Sequence, residues 1–170
     1  KREYSISEWH KPSTAETIQI RAAAAAGVMR PSFELPANYQ RLIGLPVKPE
    51  DKANGAYGVI VELPGAELLF PNQSILVCIP SVNFGKTVKT GTRVIVERVK
   101  NESVEVTVRI LRYDASEGYL WFRSSNPGYQ VPVAIPSFIP GEMPRAWLDD
   151  HGNLWNIAAV VIGAYIPFDQ

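Results

Sequence analysis

The sequence contains one cysteine, two histidines and no net charge, since seventeen basic residues balance seventeen acidic ones. Cys78 has no second cysteine with which to form an intramolecular disulfide, and it lies in an apolar run, so we expect a reducing, cytoplasmic setting. His10 and His151 lie far apart and have no neighbouring Cys or His, which excludes a zinc site with the usual Cys or His spacing. Without a net electrostatic field, the chain by itself is a poor binder of nucleic acid.

Long apolar runs, a glycine-rich phosphate loop and a signal segment are also absent from the sequence. The longest apolar stretches, such as Ile157–Ile166, reach about half of the ~20 residues that span a bilayer. We therefore expect no membrane partner, no metal and no cofactor. Because the chain begins at Lys1 without a methionine, we expect a fragment that follows a missing N-terminal domain.

Strand patterns dominate what the sequence does contain. The segment Val104–Ile110 alternates apolar and polar residues almost without error, as a half-buried strand does. The runs with such patterns are Ile18–Arg21, Tyr57–Val61, Ser74–Ile79, Arg93–Arg98, Val104–Leu111, Leu120–Arg123 and Ile157–Tyr165. They predict one mainly β domain over residues 18–170, with short helices or loops, preceded by a linker or extended arm over residues 1–17.

Two segments of this domain are open to more than one interpretation. The alanine run Ala22–Ala26 ends in Gly27, and we expect two short strands joined near that glycine. A helical turn capped by Gly27 is the alternative. The apolar segment Ile135–Trp155 either packs over the core or contacts a partner subunit.

Five motifs in order along the chain resemble a known family. They are Phe70–Cys78, Gly91–Arg98, Val104–Arg109, Leu120–Pro132 and Val160–Tyr165. Together they resemble the self-cleaving serine peptidase domain at the C-terminus of LexA-like and prophage repressors. The resemblance implies the LexA-like peptidase fold, which contains a β-clip.

The resemblance also implies where the family's chemistry would lie. Members cut their own chain at an Ala-Gly bond, and Ala26–Gly27 occupies that place, although a small-residue loop explains the same residues. The serine nucleophile falls on Gly65, which has no side chain. The lysine base falls on Arg109, whose guanidinium stays protonated and cannot accept a proton. No serine lies between Ser32 and Ser74.

We therefore expect a pseudo-peptidase and not an enzyme. A buried arginine needs a partner, and Glu62 and Glu67, which flank the emptied nucleophile position, are the candidate partners of Arg109. The alternative is that Arg109 extends to solvent. A displaced nucleophile at Ser81 or Ser103 is conceivable but has no supporting motif.

The resemblance implies a function for the whole chain. It is the dimerisation and regulatory domain of a phage-type transcriptional repressor, whose helix-turn-helix domain precedes Lys1 and binds operator DNA. The closing strand Val160–Tyr165 would build the homodimer, and an antirepressor protein or a ligand would relieve repression. Two alternatives are an active peptidase that cuts at Ala26–Gly27 with a displaced nucleophile, and an interaction module of a defence or toxin system.

Overall fold

The computed structural model describes residues 17–31, 42–44, 47–62, 69–122 and 131–167. Within them the chain forms eleven strands of one sheet and one short helix, α1, over Pro49–Ala53. The strands are β1 Thr17–Ala24, β2 Arg30–Pro31, β3 Leu42–Gly44, β4 Tyr57–Val61, β5 Ile75–Pro80, β6 Arg93–Lys100, β7 Ser103–Tyr113, β8 Gly118–Trp121, β9 Val133–Ile135, β10 Trp147–Leu148 and β11 Leu154–Tyr165. The predicted mainly β class is confirmed.

The strand order of the sheet is β3-β1-β4-β5-β11-β6-β7-β8-β9, with β10 paired to β11 and β2 paired to β7. β1 and β4 are parallel, and the remaining pairs are antiparallel. The last strand, β11, lies at the centre of this order, between β5 and β6. The C-terminal part of the chain therefore completes the middle of the sheet.

The sheet curls until the end of β1 reaches β7. The amide of Ala25 donates a hydrogen bond of 2.9 Å to the carbonyl of Val106 in β7. Further along the chain, Arg30 and Pro31 of β2 pair with Val104 and Ser103 of the same strand. Residues 25–31, here called the closing segment, thus join the two sides of the curled sheet.

Alternation along the strands produces two apolar layers. Ile95 of β6 and Val108 of β7 point into the enclosed inner face, where they pack with Leu76 and Cys78 of β5. On the outer face, Val94 and Val96 of β6 pack with further residues, namely Leu111, Leu120, Ile135, Trp155, Ile157 and Val160. Because β6 is covered on both sides, its sequence is a continuous apolar run at this point.

The alanine run Ala22–Ala26 forms the end of β1 and the start of the closing segment. The alternative of a helical turn is therefore wrong. β1 continues through Ala24, and Gly27 adopts a φ of 72°, a left-handed conformation that favours glycine. The turn that the sequence predicts at Gly27 therefore joins β1 to β2. Within the described residues, no helix is long and apolar enough to cross a membrane.

The segment 135–155 contains short strands that the sequence did not predict. β9 adds Val133–Ile135 to the edge of the sheet beside β8, and β10 pairs Trp147 and Leu148 with the start of β11. Phe138, Met143 and Trp147 pack against the outer layer. This segment therefore covers the core, as one of its two interpretations required.

Candidate functional site

The site begins at the closing segment, which holds the predicted cleavage bond Ala26–Gly27 against β7. Ala25 and Ala26 are each only 3% exposed, because their small side chains let the backbone lie close to the sheet. The amide of Gly27 donates a hydrogen bond to Oε1 of Glu105. The two residues are 78 positions apart in the sequence, so a single carboxylate fixes a long-range turn.

Glu105 belongs to a row of polar side chains on one face of β7. Successive side chains of a strand point to opposite faces, so Glu105, Thr107 and Arg109 share one face. All three are buried, with exposed fractions of 5%, 3% and 8%. The second oxygen of Glu105, Oε2, lies 2.7 Å from Nε of Arg98, directly across the ladder on β6. One carboxylate therefore serves both the closing segment and a cross-strand ion pair.

Arg109 lies between two aromatic rings. Its Cζ is 5.2 Å from the ring centroid of Phe122 and 5.2 Å from that of Trp155. Its Nε donates a hydrogen bond of 3.2 Å to the hydroxyl of Thr107, while Nη1 has no hydrogen-bond partner among the described residues. Aromatic faces attract a desolvated guanidinium by about 2 kcal/mol each, so the rings offset much of the burial cost.

Burial lowers the pKa of Arg109 to about 10, and the nearby Glu105 partly opposes this shift while Arg98 adds to it. The guanidinium therefore remains protonated at neutral pH. A general base has to be deprotonated when it acts, so Arg109 does not supply one near pH 7.

Trp155, one of the two rings beside Arg109, is held in place by Asp149. The carboxylate of Asp149 accepts four hydrogen bonds, from Nε1 of Trp155, from the amide and the side-chain nitrogen of Asn153, and from the amide of His151, all between 2.8 and 2.9 Å long. Burial acts to raise the pKa of Asp149, but these hydrogen bonds outweigh it and hold the pKa well below its usual range. The carboxylate is thus a fixed anchor for the tryptophan.

Glu62 is the one of the two candidate partners of Arg109 that lies within the described residues. Glu62 forms an ion pair with Arg30 of β2 instead, and the described residues contain no ion pair between Glu62 and Arg109. Glu105 is the carboxylate whose charge acts to raise the pKa of Arg109, and it was not among the partners predicted from the sequence. Its signal was the spacing Glu105, Thr107, Arg109, which places all three side chains on one face of a strand. Gly65 and Glu67 lie outside the described residues.

The hydroxyl groups of Ser74 and Thr107 both take part in hydrogen bonds. Ser74 is fully buried, and its hydroxyl donates a hydrogen bond of 2.7 Å to the carbonyl of Pro71. The hydroxyl in contact with Arg109 is that of Thr107, which receives a hydrogen bond from a cation and is not activated by a base. Among the described residues, no group of three His, Cys, Asp or Glu side chains could hold a metal ion.

Replacing Glu105 should loosen the closing segment. Glu105→Ala removes the acceptor of the Gly27 amide and leaves Arg98 without its partner, so we expect a loss of about 2–4 kcal/mol in the free energy of unfolding. Glu105→Gln keeps an acceptor and loses the charge, and its cost should be about half as large. Urea denaturation of the three proteins measures these differences.

The matched control for this comparison is Glu142→Ala, which removes an exposed carboxylate elsewhere. It should leave the free energy of unfolding within about 0.5 kcal/mol of the original protein. If Glu105→Ala behaved in the same way, Glu105 would not hold the closing segment.

Asp149 predicts a pH dependence of stability. Because its pKa in the folded protein lies below the value of about 3.9 in an unfolded chain, its stabilising contribution is fully present above about pH 5 and declines as the pH falls below about 4. Asp149→Asn should therefore lower the Tm more at pH 7 than at pH 2.5. Asp150→Asn, which changes the neighbouring exposed carboxylate, is the control. Equal Tm losses for Asp149→Asn at both pH values would contradict the assignment.

No family model, no curated protein and no solved structure matches the chain. Its function is therefore inferred from its own residues and from the arrangement of the closing segment on β7.

Proposed function

We propose that the chain is a catalytically inactive member of the LexA-like peptidase family, which acts in the cytoplasm as the dimerisation and regulatory domain of a phage-type transcriptional repressor. A helix-turn-helix domain before Lys1 would bind operator DNA, and the present domain would pair two such domains on two half-sites. Because the chain does not cut itself, an antirepressor protein would relieve repression.

The observation that carries this proposal is the docking of Ala26–Gly27 on the strand that would hold the catalytic base. In the family motif that Val104–Arg109 resembles, the base follows the glutamate by four positions. Here Glu105 receives the Gly27 amide, and Arg109, at the position that the motif would give to the base, lies on the same face of β7. The Ala26–Gly27 turn thus lies against the same strand that holds the proposed base position, four positions from it, and on this proposal the turn is the stable remnant of a cleavage segment.

The identity of the residues at the two catalytic positions explains why cleavage would be lost. Gly65 has no side chain to attack a carbonyl, whatever the conformation of its loop. Arg109 is a cation held between aromatic rings, and its pKa of about 10 leaves it protonated at neutral pH. Either change alone removes one half of the serine-lysine pair.

Incubation of the purified protein at alkaline pH tests the absence of cleavage. We expect the intact mass to persist for days, with no fragment that begins at Gly27. The double variant Gly65→Ser with Arg109→Lys should produce that fragment, and Gly65→Ser alone should not, because a serine without a base stays inactive. Mass spectrometry measures the masses of the intact chain and of any fragment in all three samples. A fragment starting at Gly27 from the unaltered protein would favour the active peptidase instead.

The edge of β11 supports pairing of two copies. β6 pairs with β11 only as far as Val160, whereas β5 continues to pair with it up to Tyr165. Beyond Val160, one edge of β11 has no partner strand among the described residues, and Ile162 in this stretch is 38% exposed. An open edge with an exposed apolar side chain is suited to pairing with the same edge of a second copy.

Ile162→Asp should therefore weaken the homodimer. A charge buried in an interface costs several kcal/mol, so we expect the dissociation constant of the dimer to rise at least about 100-fold, measured by sedimentation equilibrium. Leu148→Asp changes a residue that is 69% exposed and pairs with Leu154 at the opposite end of β11, and it should leave the dimer intact. A monomeric parent protein at micromolar concentration, or equal effects of both variants, would contradict dimerisation through β11.

A further inference from the structure

A cavity of about 430 Å³ lies between the closing segment and one end of the inner face of the sheet. This volume is within the range of small-molecule sites. Its walls are mostly apolar and come from distant parts of the chain, such as Ala22 of β1, Val28 of the closing segment, Val106 of β7 and Ala158 of β11. The cavity is separate from the row of Glu105, Thr107 and Arg109, which points to the opposite face of β7.

Two opposite charges face this apolar space. Arg21 lies over the ring of Tyr57, with its Cζ 5.4 Å from the ring centroid, and Glu97 projects from β6. Oε2 of Glu97 accepts a hydrogen bond of 3.1 Å from the side-chain amide of Asn156. Both charges act on the Tyr57 hydroxyl, whose pKa is raised by burial first, then by Cys78 and Glu97, and is opposed by Arg21. The cation, the carboxylate and the buried Tyr57 ring therefore line one cavity.

Within the part of the chain that the structure describes, neither charge has an ion-pair partner. The described residues contain no carboxylate in ion-pair contact with Arg21 and no cation in ion-pair contact with Glu97, and the two do not pair with each other. By contrast, Arg30 at the same cavity is neutralised by Glu62. A cation and a carboxylate that face one apolar space without meeting are complementary to a ligand that carries both charges itself.

We propose that this cavity binds a zwitterion with an apolar body, namely an apolar amino acid or a short apolar peptide with free ends. Its ammonium group pairs with Glu97, its carboxylate pairs with Arg21, and its side chains contact Ala22, Val106 and Ala158. The inference goes beyond the repressor function and does not depend on it. Because the closing segment forms one wall, a bound ligand contacts both sides of the closure and stabilises it.

Isothermal titration with four probes tests the ligand class. The probes are leucine, leucyl-leucine, N-acetyl-leucyl-leucine and leucyl-leucine amide. We expect leucine, leucyl-leucine or both to bind. Whichever of the two binds more tightly shows whether the natural ligand is an amino acid or a peptide. Blocking either end of the dipeptide should weaken its binding by about tenfold or more, since each block removes one charge-assisted contact. No binding of either zwitterion, or equal binding of the blocked and unblocked dipeptides, would overturn the proposal.

Two variants, each of which removes one charge from the cavity, test which end of the ligand each charge binds. Arg21→Gln should abolish the preference for leucyl-leucine over its amide and keep the preference over the N-acetyl form. Glu97→Gln, which retains an acceptor for Asn156, should do the reverse. The controls are Arg112→Gln, since Arg112 likewise lies over an aromatic ring, that of Trp121, and Glu142→Gln. Both should bind all probes as the parent does. If each of the two cavity variants lost all preferences or none, the assignment of the two ends would be wrong.

Discussion

The hydrogen bond from the Gly27 amide to the carboxylate of Glu105 is the contact on which the rest of the fold depends. It fixes a left-handed turn at the end of β1 and directs β2 back along β7. With the Ala25 amide bound to Val106, this turn closes the curled sheet around its inner apolar layer. A buried carboxylate needs compensation, and the ion pair with Arg98 supplies it from the neighbouring strand.

On the proposed family membership, the same row of β7 turns the position of a catalytic base into a structural one. A lysine that acts as a base must lose its proton in an apolar site, whereas an arginine keeps its charge in such a site and needs electron-rich neighbours. Phe122 and Trp155 provide these neighbours for Arg109, and Asp149 fixes the tryptophan from the other side. We interpret the loss of chemistry and the gain of packing at Arg109 as one change. The proposed regulation without proteolysis then requires a stable closing segment and not a cleavable one.

The sequence predicted the strands well where local pattern decides the structure. Val104–Ile110 alternates cleanly and became β7, and the turn at Gly27 was marked by a residue that tolerates positive φ. The alanine run had no such pattern, since alanine suits helix and strand alike when packing decides. β9 and β10 were missed because strands of two or three residues among prolines have no period to detect.

The site was predicted only in part because its contacts are not local. The position of Arg109 on β7 followed from its motif, but its two aromatic neighbours come from other elements of the sheet. The pairing of Arg109 with Glu62 was expected from their motifs, whereas the fold brings Arg30 to Glu62 through the closing segment. A contact across 78 residues, such as Gly27 with Glu105, leaves no trace in any short window of sequence.

Amide hydrogen exchange of the closing segment tests the central claim most directly. If Glu105 holds the Gly27 amide and Val106 holds that of Ala25, both amides are protected to the level of the β6 and β7 amides. Exchange of the Gly27 amide at the rate of an exposed loop, while β7 stays protected, would show that the segment is not closed on the sheet and would contradict the account.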